Sequence, residues 1–237
     1  TLCCTLFPYT TLFRSGETIA FIGSTGCGKS TVINLIPRFY DVTEGGVYVD
    51  GINVKDFTQA ALRNKIGYVS QKAILFKGDI SSNVSFGSNG NGGVSHEAVT
   101  SAISTAQSTD FVEAMEDSYQ SYVAPGGTNL SGGQKQRLSI ARAIARKPEI
   151  LIFDDSFSAL DYKTDKLLRG ELRHHATDAT IIIVAQRIGT IKDADKIIVL
   201  DEGRIAGMGT HRELIKKCDL YKEIAYSQLS KEELENE

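Results

Sequence analysis

Short apolar runs alternate along the chain with amphipathic stretches of helical period. From residue 16 onwards the runs are rich in β-branched residues, as in TIAFIG at 18–23 and TIIIVAQ at 180–186. Runs of this length predict buried strands, and the stretches between them predict helices. An alternation of this kind is typical of a mainly parallel sheet covered by helices. The pattern therefore predicts an α/β fold.

Turn and cap signals bound the predicted elements. Asp50-Gly51 is a strong hairpin signal between two short β runs, which predicts a small antiparallel element. Ser131 can cap a predicted helix that runs to about Lys147, where Pro148 closes it. Further strands are predicted at 65–71 and 150–154, a hairpin at 196–209 about Gly203, and helices at 29–37, 96–117, 161–176 and 211–229.

The pattern also divides the chain into parts. Residues 16–71 and 148–237 carry the alternation of strands and helices, which predicts a core. Residues 72–147 resemble an inserted α-helical subdomain. Within it, SNGNGG at 88–93 has the composition of a flexible surface loop.

Residues 1–15 break this pattern. TLCCTLFPYTTLFRS has neither strand alternation nor helical period, and it joins abruptly to GETIAFIG. Its last ten residues, LFPYTTLFRS, look like the translation of a common short-read sequencing adapter. We therefore interpret residues 1–15 as an artefact rather than native sequence, with a short natural leader as the alternative. Under this interpretation the native N-terminal segment is missing, and we expect no activity while the foreign segment stands in its place.

Composition changes the picture little. The 237 residues are 41% hydrophobic and 23% charged, with a net charge of −3, which is ordinary for a globular chain. The small net charge, without a long basic run, predicts neither a nucleic-acid partner nor a membrane-surface partner. The four cysteines have neither zinc spacing nor a disulfide framework, which fits a reducing, cytosolic setting. No apolar run reaches the roughly 18 residues of a membrane-spanning helix, so we do not expect this segment to cross a bilayer.

The first chemical motif is a phosphate loop. GSTGCGKS at 23–30 fits glycine, four residues, then Gly-Lys-Ser, and it lies between a predicted strand and a predicted helix. Its glycines let backbone N–H groups turn towards a phosphate, and its lysine adds a cation. An ordinary glycine-rich turn is the alternative. The predicted ATP-binding residues are Gly23, Ser24, Thr25, Gly26, Cys27, Gly28, Lys29, Ser30 and Thr31, with Ser30 also a magnesium ligand.

The second motif is a pair of aspartates after a buried strand, in LIFDDSFSALD at 151–161. By themselves, Asp154 and Asp155 could simply mark the exit of the strand into water. With a phosphate loop present, a neighbouring strand is expected to supply a carboxylate that holds magnesium. We therefore predict that Asp154 binds magnesium and that Asp155 sits where a base could orient or deprotonate the attacking water.

The third motif is LSGGQ, formed by Leu130, Ser131, Gly132, Gly133 and Gln134. It places a hydroxyl and two glycines at the head of a helix, which is an anion-binding arrangement, although SGG alone could be a mere helix cap. With this motif the chain resembles the nucleotide-binding domain of ATP-binding cassette (ABC) transporters from residue 16 to about residue 229. The resemblance implies a P-loop ATPase core and a head-to-tail dimer, in which the signature of one domain closes over the ATP of the other.

Other motifs follow in the order of that family. Gln71 corresponds to the Q-loop glutamine, which implies a contact with magnesium and water and a link to the membrane domain. Asp161, in SALD, corresponds to the D-loop residue that crosses the dimer interface. Residues 75–87 are similar to the segment that faces the coupling helices in exporters of the multidrug and peptide type.

Two positions depart from the family pattern. Asp155 stands where the family has glutamate, and Gln186 stands where it has histidine. The shorter side chain withdraws the carboxylate by about 1 Å, and a misplacement of that size costs about 100-fold. Glutamine cannot become cationic, so a contribution of about 10²- to 10⁴-fold is absent. The chain therefore resembles the degenerate half of a heterodimeric exporter, with a slow site of its own and a regular signature for its partner.

The four histidines are not predicted to have catalytic or metal-binding roles. His211 lies at a predicted helix start, and we interpret it as a cap or surface residue. His96, His174 and His175 lack metal-ligand spacing and are interpreted as solvated. The family's adenine-stacking aromatic falls in the region of residues 1–15, where Tyr9 is not a credible substitute.

The resemblance implies an exporter ATPase module that binds ATP and Mg²⁺. Its partners would be a second, different nucleotide-binding domain and the transmembrane domain of a transporter, with no nucleic acid involved. It would lie at the cytoplasmic face of the plasma (inner) membrane as a peripheral domain. A second hypothesis is a regulatory module that binds ATP with negligible hydrolysis of its own. A third, an ABC-type ATPase acting on DNA or ribosomes, would need coiled-coil arms or a second cassette.

Overall fold

The computed structural model describes residues 2–6, 9–87, 93–175 and 178–229. Its strands are β1 (Leu2–Leu6), β2 (Tyr9–Phe13), β3 (Thr18–Ile22), β4 (Gly46–Val49), β5 (Ile52–Asn53), β6 (Ile66–Val69), β7 (Gly78–Asp79), β8 (Tyr122–Val123), β9 (Ile150–Asp154), β10 (Thr180–Val184), β11 (Lys196–Asp201) and β12 (Arg204–Gly209). Its α-helices are α1 (Lys29–Asn34), α2 (Gln59–Asn64), α3 (Ile80–Val84), α4 (His96–Thr105), α5 (Thr109–Glu113), α6 (Gly132–Ala145), α7 (Tyr162–His175), α8 (Ile188–Ile191), α9 (His211–Lys217) and α10 (Asp219–Gln228). No helix in these ranges is long and apolar enough to cross a membrane.

The chain forms two compact units, Thr1–Leu62 with Thr180–Glu237, and Arg63–Ala179. In the first unit, β3 pairs in parallel with β10 on one side and with β11 on the other, and β11 pairs antiparallel with β12. All five residues of β10 are buried, as are four of the five in β3, which agrees with a parallel strand covered on both faces. This apolar sheet fixes the end of β3, where the predicted phosphate loop begins.

A second sheet of the first unit is antiparallel, with the strand order β2-β1-β4-β5. The β4–β5 hairpin turns at Asp50 and Gly51, both with positive φ, as the Asp-Gly signal predicts. Residues 2–6 and 9–13 belong to this sheet, and the buried ring of Phe13 packs edge-on against Phe21. The origin of residues 1–15 as an artefact stays a prediction.

The second unit holds the parallel pair β6–β9 and the short antiparallel pair β7–β8. Helix α6 packs on β6, α3 and α4, and its residues Leu138, Ile140 and Ala141 are fully buried. Parallel strands, helices and small antiparallel pairs together confirm the predicted α/β class. The predicted subdomain bounds at residues 72 and 147 stay a prediction, and most of the predicted 88–93 loop lies outside the described residues.

Two predicted helices are each interrupted. The helix predicted at 96–117 ends at Thr105 because Gln107 adopts a left-handed conformation (φ 54°). There the Ser108 N–H donates to the Ile103 carbonyl, and the Gln107 N–H donates to the Ser104 carbonyl. These are the two hydrogen bonds of a Schellman motif, in which glycine usually takes the left-handed position. The helix predicted at 211–229 divides into α9 and α10 because Cys218 is extended.

The interpretation of His211 as a cap or surface residue is wrong. Thr210 caps α9 through a capping box with Glu213, and the side chain of His211 is buried. Its Nδ1 lies 2.6 Å from the hydroxyl of Tyr221, which is also buried. The side chain therefore joins α9 to α10 inside the first unit. His96 and His174 are exposed, as interpreted.

Candidate functional site

The predicted phosphate loop connects β3 to α1 in the first unit. Gly23, Gly26 and Gly28 have φ values of 152°, 84° and 99°, which L side chains rarely adopt. A Cβ at Gly23 would lie 2.1 Å from the Leu200 carbonyl oxygen, so only glycine fits against β11. The tip is open by contrast, since a Cβ at Gly26 would meet nothing within 4 Å.

Lys29 lies at the centre of this loop. Its Nζ donates to the carbonyl of Gly23 at 2.9 Å and to that of Ser24 at 2.8 Å, and the side chain is buried. The Gly203 N–H of the β11–β12 hairpin donates to the Cys27 carbonyl at 3.1 Å, which anchors the loop from outside. The loop thus surrounds one cation with its own backbone.

These features fit the phosphates of a nucleotide. No side chain caps α1, whose N-cap residue is Gly28, so the end of the helix faces the loop without a competing carboxylate or hydroxyl cap. Ser24, Thr25, Ser30 and Thr31 are exposed around the buried lysine. An open cradle with positive charge at its base is the donor set that an anion requires.

Asp154 ends β9 in the second unit. Its carboxylate is buried and accepts a hydrogen bond from the Tyr68 hydroxyl at 3.1 Å. Burial and then the neighbouring Asp154 charge raise the pKa of Tyr68, so the phenol stays a donor at neutral pH. The structure therefore holds this carboxylate in a fixed position, as a metal ligand requires, and it does not let Asp154 turn out into water.

Asp155 has a different geometry from its neighbour. Its φ is 48°, and its carboxylate accepts from the Gln71 side-chain amide at 3.0 Å. Its carbonyl accepts from the Ser158 hydroxyl at 2.7 Å, which braces the unusual backbone. Aspartate tolerates this conformation better than most residues. Of the predicted catalytic residues, Gln71 and Asp155 are thus brought into direct contact.

The signature motif forms the start of α6 in the second unit. The Ser131 hydroxyl accepts from the Gln134 N–H, and the Gln134 side chain accepts in turn from the Ser131 N–H at 2.9 Å. This is a capping box, so the structure shows the Ser131 side chain as a helix cap. An anion site at the same helix start stays a prediction. Leu130 is buried, whereas Ser131 and Gly132 are exposed and Gly133 is half-buried.

Two further predicted residues have local roles. The Asp161 carboxylate accepts from the Thr164 hydroxyl at 2.7 Å and from its N–H at 3.0 Å, and these bonds lower the pKa of Asp161. Gln186 follows β10 with an exposed side chain. Its carbonyl accepts from the Gln228 side chain at 2.8 Å, and that same side chain accepts from the Ile188 N–H.

Three of these supporting residues were not predicted from the sequence. Tyr68 pairs in register with Ile152, two positions before Asp154, and strand pairing could have indicated its neighbour. Gln136 is buried in α6 and donates to the carbonyl of Ser70, beside the Q-loop glutamine. Gln228 carries no local signal, because it acts from α10, far along the chain.

Comparison with known proteins agrees with this geometry. An α/β fold whose central strand leads through a glycine-rich loop to a helix defines the P-loop class. The model of the ABC transporter family matches residues 8–158. The chain belongs to the ABC transporter family.

Individual relatives are also similar. An uncharacterised ABC transporter ATP-binding protein of Mycobacterium tuberculosis is 47% identical over 215 residues, which are 91% of this chain and 37% of that protein. A Staphylococcus aureus protein that carries the name multidrug export ATP-binding/permease protein is 46% identical, over 89% of this chain and 36% of its own. The structure of a bacterial Atm1-family ABC exporter with ATP bound matches with a TM-score of 0.86 and 38% identity, over 91% of this chain and 38% of that one. The chain thus spans little more than a third of these relatives.

Proposed function

We propose that the chain is the ATP-binding and ATP-hydrolysing domain of an ABC exporter. The observation that carries this proposal is the loop at 23–28, which has three glycines of positive φ and surrounds the buried ammonium of Lys29. A bound nucleotide would replace the Gly23 and Ser24 carbonyls as the partner of that ammonium. The exposed positions around it would face the phosphates through backbone N–H groups.

Three residues would hold the magnesium ion, namely Ser30, Gln71 and Asp154. Magnesium prefers oxygen ligands, which a hydroxyl, an amide and a carboxylate supply. When bound, the ion would neutralise charge that develops on the phosphate oxygens. Tyr68 would keep the Asp154 carboxylate in place through its 3.1 Å hydrogen bond.

The domain would work in a dimer with a different nucleotide-binding domain. The signature residues Ser131 and Gly132 are exposed, and a Cβ at Gly132 would meet nothing within 4 Å in this chain. An exposed helix start of this kind is free to approach the ATP of a partner domain. The exposed Asp161 would cross the same interface.

The domain's own hydrolytic site would be weakened. Asp155 has a short side chain, and its carboxylate is engaged by Gln71 at 3.0 Å. Gln186, at the end of β10, cannot carry the positive charge that a histidine would. A regulatory module with negligible hydrolysis of its own is the second candidate, favoured by that engaged carboxylate. Single-turnover hydrolysis, in a dimer whose other site is disabled, separates the two candidates.

The transport role would need a membrane-spanning part. Relatives named as export ATP-binding/permease proteins are about two and a half times as long as this chain, which leaves room for such a part. Ile74, Phe76 and Phe86 are exposed apolar residues of the second unit, and we propose that they contact it. The domain would then lie at the cytoplasmic face of the plasma membrane.

Replacement of Lys29 tests the proposal. Residues 1–15 would be exchanged for the matching segment of a relative, and Mg-ATP affinity measured by calorimetry. Lys29→Ala and Lys29→Met should each weaken binding by about 10- to 100-fold, because a charge-assisted contact with phosphate is lost. The exposed Lys166 on α7 provides a matched control, and Lys166→Ala should bind as the parent does. Unchanged affinity in both Lys29 variants would remove the phosphate-loop assignment.

A further inference from the structure

A small aromatic surface stands out in the second unit. The rings of Phe76 and Phe86 lie 4.4 Å apart, yet each is about half exposed, at 45% and 53%. Ile74, two residues before Phe76, is 55% exposed. We call these three residues the aromatic platform. Burial of three such side chains would be favourable, so their joint exposure indicates a surface that another part of a protein covers.

A single guanidinium from α6 holds this platform. The Arg142 Nη1 donates to the Ile74 carbonyl at 2.8 Å, and its Nε donates to the Asn83 carbonyl at 2.7 Å. The guanidinium carbon lies 5.3 Å from the ring centroid of Phe76 and 5.8 Å from that of Phe86. Arg142 thus contacts the platform at the Ile74 carbonyl and at both rings.

Asn83 completes the arrangement beneath the platform. Its side chain is buried and bonds both backbone groups of Phe76, accepting from the N–H and donating to the carbonyl, each at 2.8 Å. The Arg142 Nη2 donates to the same Asn83 side-chain oxygen at 2.9 Å. Helix α6 therefore fixes the 74–76 segment on α3 through one continuous hydrogen-bond network.

The environment of Arg142 is unusual for a cation. Burial lowers the pKa of Arg142 to about 10, so the group remains charged at neutral pH at a cost in desolvation. No carboxylate among the described residues pairs with it, and carbonyl oxygens and ring faces surround the charge instead. A methionine or leucine would fill the same half-buried space without that cost. Its hydrogen bonds go to the Ile74 carbonyl and to the carbonyl and side-chain oxygens of Asn83, which hold the platform in place.

We propose that Arg142 is a positioning residue for energy coupling, which presents the aromatic platform to the membrane-spanning part of the same transporter. The inference rests on the proposed function, because it needs such a part to exist. The occupant follows from length, since relatives named as ATP-binding/permease proteins extend well beyond this chain. Arg142 does not touch nucleotide in this proposal, so its loss should leave ATP binding intact.

The test compares hydrogen exchange at residues 74–86 in the cassette alone and in the cassette joined to a membrane-spanning half. Joining should slow exchange at 74–86 by about tenfold or more when the platform is covered. Arg142→Met, which keeps the apolar stem, should lose most of that protection. Arg142→Lys should regain only part of it, because lysine lacks the planar fork that bonds three acceptors.

Two further variants separate positioning from simple folding. Phe86→Ala leaves every Arg142 hydrogen bond in place and should reduce protection with little change in thermal stability. The double variant, Phe86→Ala with Arg142→Met, should have protection less than about twofold lower than that of Phe86→Ala alone, because both residues act through the same surface. Arg212→Met, at an exposed arginine of α9, is the control and should behave as the parent protein.

The outcomes distinguish this inference from the proposed function. Calorimetry with Mg-ATP should give affinities for Arg142→Met within about twofold of the parent. Loss of ATP binding in the parent itself would overturn the proposed function. Parent-like protection at 74–86 in Arg142→Met, with ATP binding intact, would overturn the positioning role alone. Equal exchange in the free and joined parent would show that the platform is not covered, which also overturns it.

Discussion

Asp154 and Asp155 are neighbours in sequence with different surroundings. Asp154 continues the β9 strand and is held by the Tyr68 hydroxyl, whereas Asp155 turns into a left-handed conformation and is held by Gln71. Both side chains are buried, so neither serves merely to solvate the end of the strand. These two sets of contacts support the two different roles that we propose for the adjacent carboxylates.

Tyr221→Phe tests the role found for His211. The variant removes the 2.6 Å hydrogen bond between two buried side chains and keeps the ring. We expect a loss of about 1 kcal/mol in the free energy of unfolding, measured in urea. Tyr226→Phe, at a tyrosine that is 52% exposed, is the matched control and should change stability by less than about 0.5 kcal/mol. Equal stability of the two variants would mean that the bond contributes nothing.

Sequence reasoning predicted residues whose backbone geometry depends on the neighbouring sequence, and it missed residues whose partner is distant in the chain. The glycines of the phosphate loop carry their backbone requirement in the motif itself. The sequence around His211 carries no such signal, because only the packing of α10 on α9 brings Tyr221 next to it. The same holds for Tyr68, since its contact with Asp154 depends on the pairing of β6 with β9.

At the scale of elements, β6 has a glycine where a buried strand usually has a side chain. A Cβ at Gly67 would lie 2.9 Å from both Leu151 Cδ2 and Pro148 Cγ, and 3.0 Å from the Ala143 carbonyl oxygen. Strand β6, strand β9 and the end of α6 therefore meet at a point with no room for a methyl group.

Gly67→Ala should consequently destabilise the protein. We expect a loss of about 1–3 kcal/mol in the free energy of unfolding from overpacking, measured by chemical denaturation. Gly170→Ala is the matched control, because a Cβ there meets nothing within 4 Å and the position lies inside α7. That control should be neutral or more stable by up to about 1 kcal/mol. A Gly67→Ala variant as stable as the parent would contradict the close packing.

The types of the secondary-structure elements were predictable from the sequence, whereas the residues at which some helices end were not. The Asp50-Gly51 and Gly203 turns carry strong local signals, and both hairpins form there. The break after α4 was missed because glutamine, rather than glycine, takes the left-handed position. The break at Cys218 was missed because extended backbone at one residue leaves the apolar period of α9 and α10 almost unchanged.

At the scale of the whole molecule, the two halves of the proposed function lie on different residues. In that proposal the phosphate loop, Asp155 and Gln186 would act on the domain's own ATP, whereas the signature would act on the ATP of a partner. A regular signature beside a shortened carboxylate therefore predicts an asymmetric pair of sites. In such a pair, most turnover depends on what this chain contributes to its partner.

Steady-state ATPase of the heterodimer with a regular partner domain tests this central claim most directly. Gly132→Asp would place a carboxylate against the phosphates of the partner's ATP, and the open space at Gly132 and its place at the start of α6 let the variant fold. It should lower turnover by about 10²-fold or more, while Asp155→Asn should lower it by less than about threefold. The reverse ranking would mean that hydrolysis occurs mainly at this chain's own phosphate loop, and the account of a weakened site would be wrong.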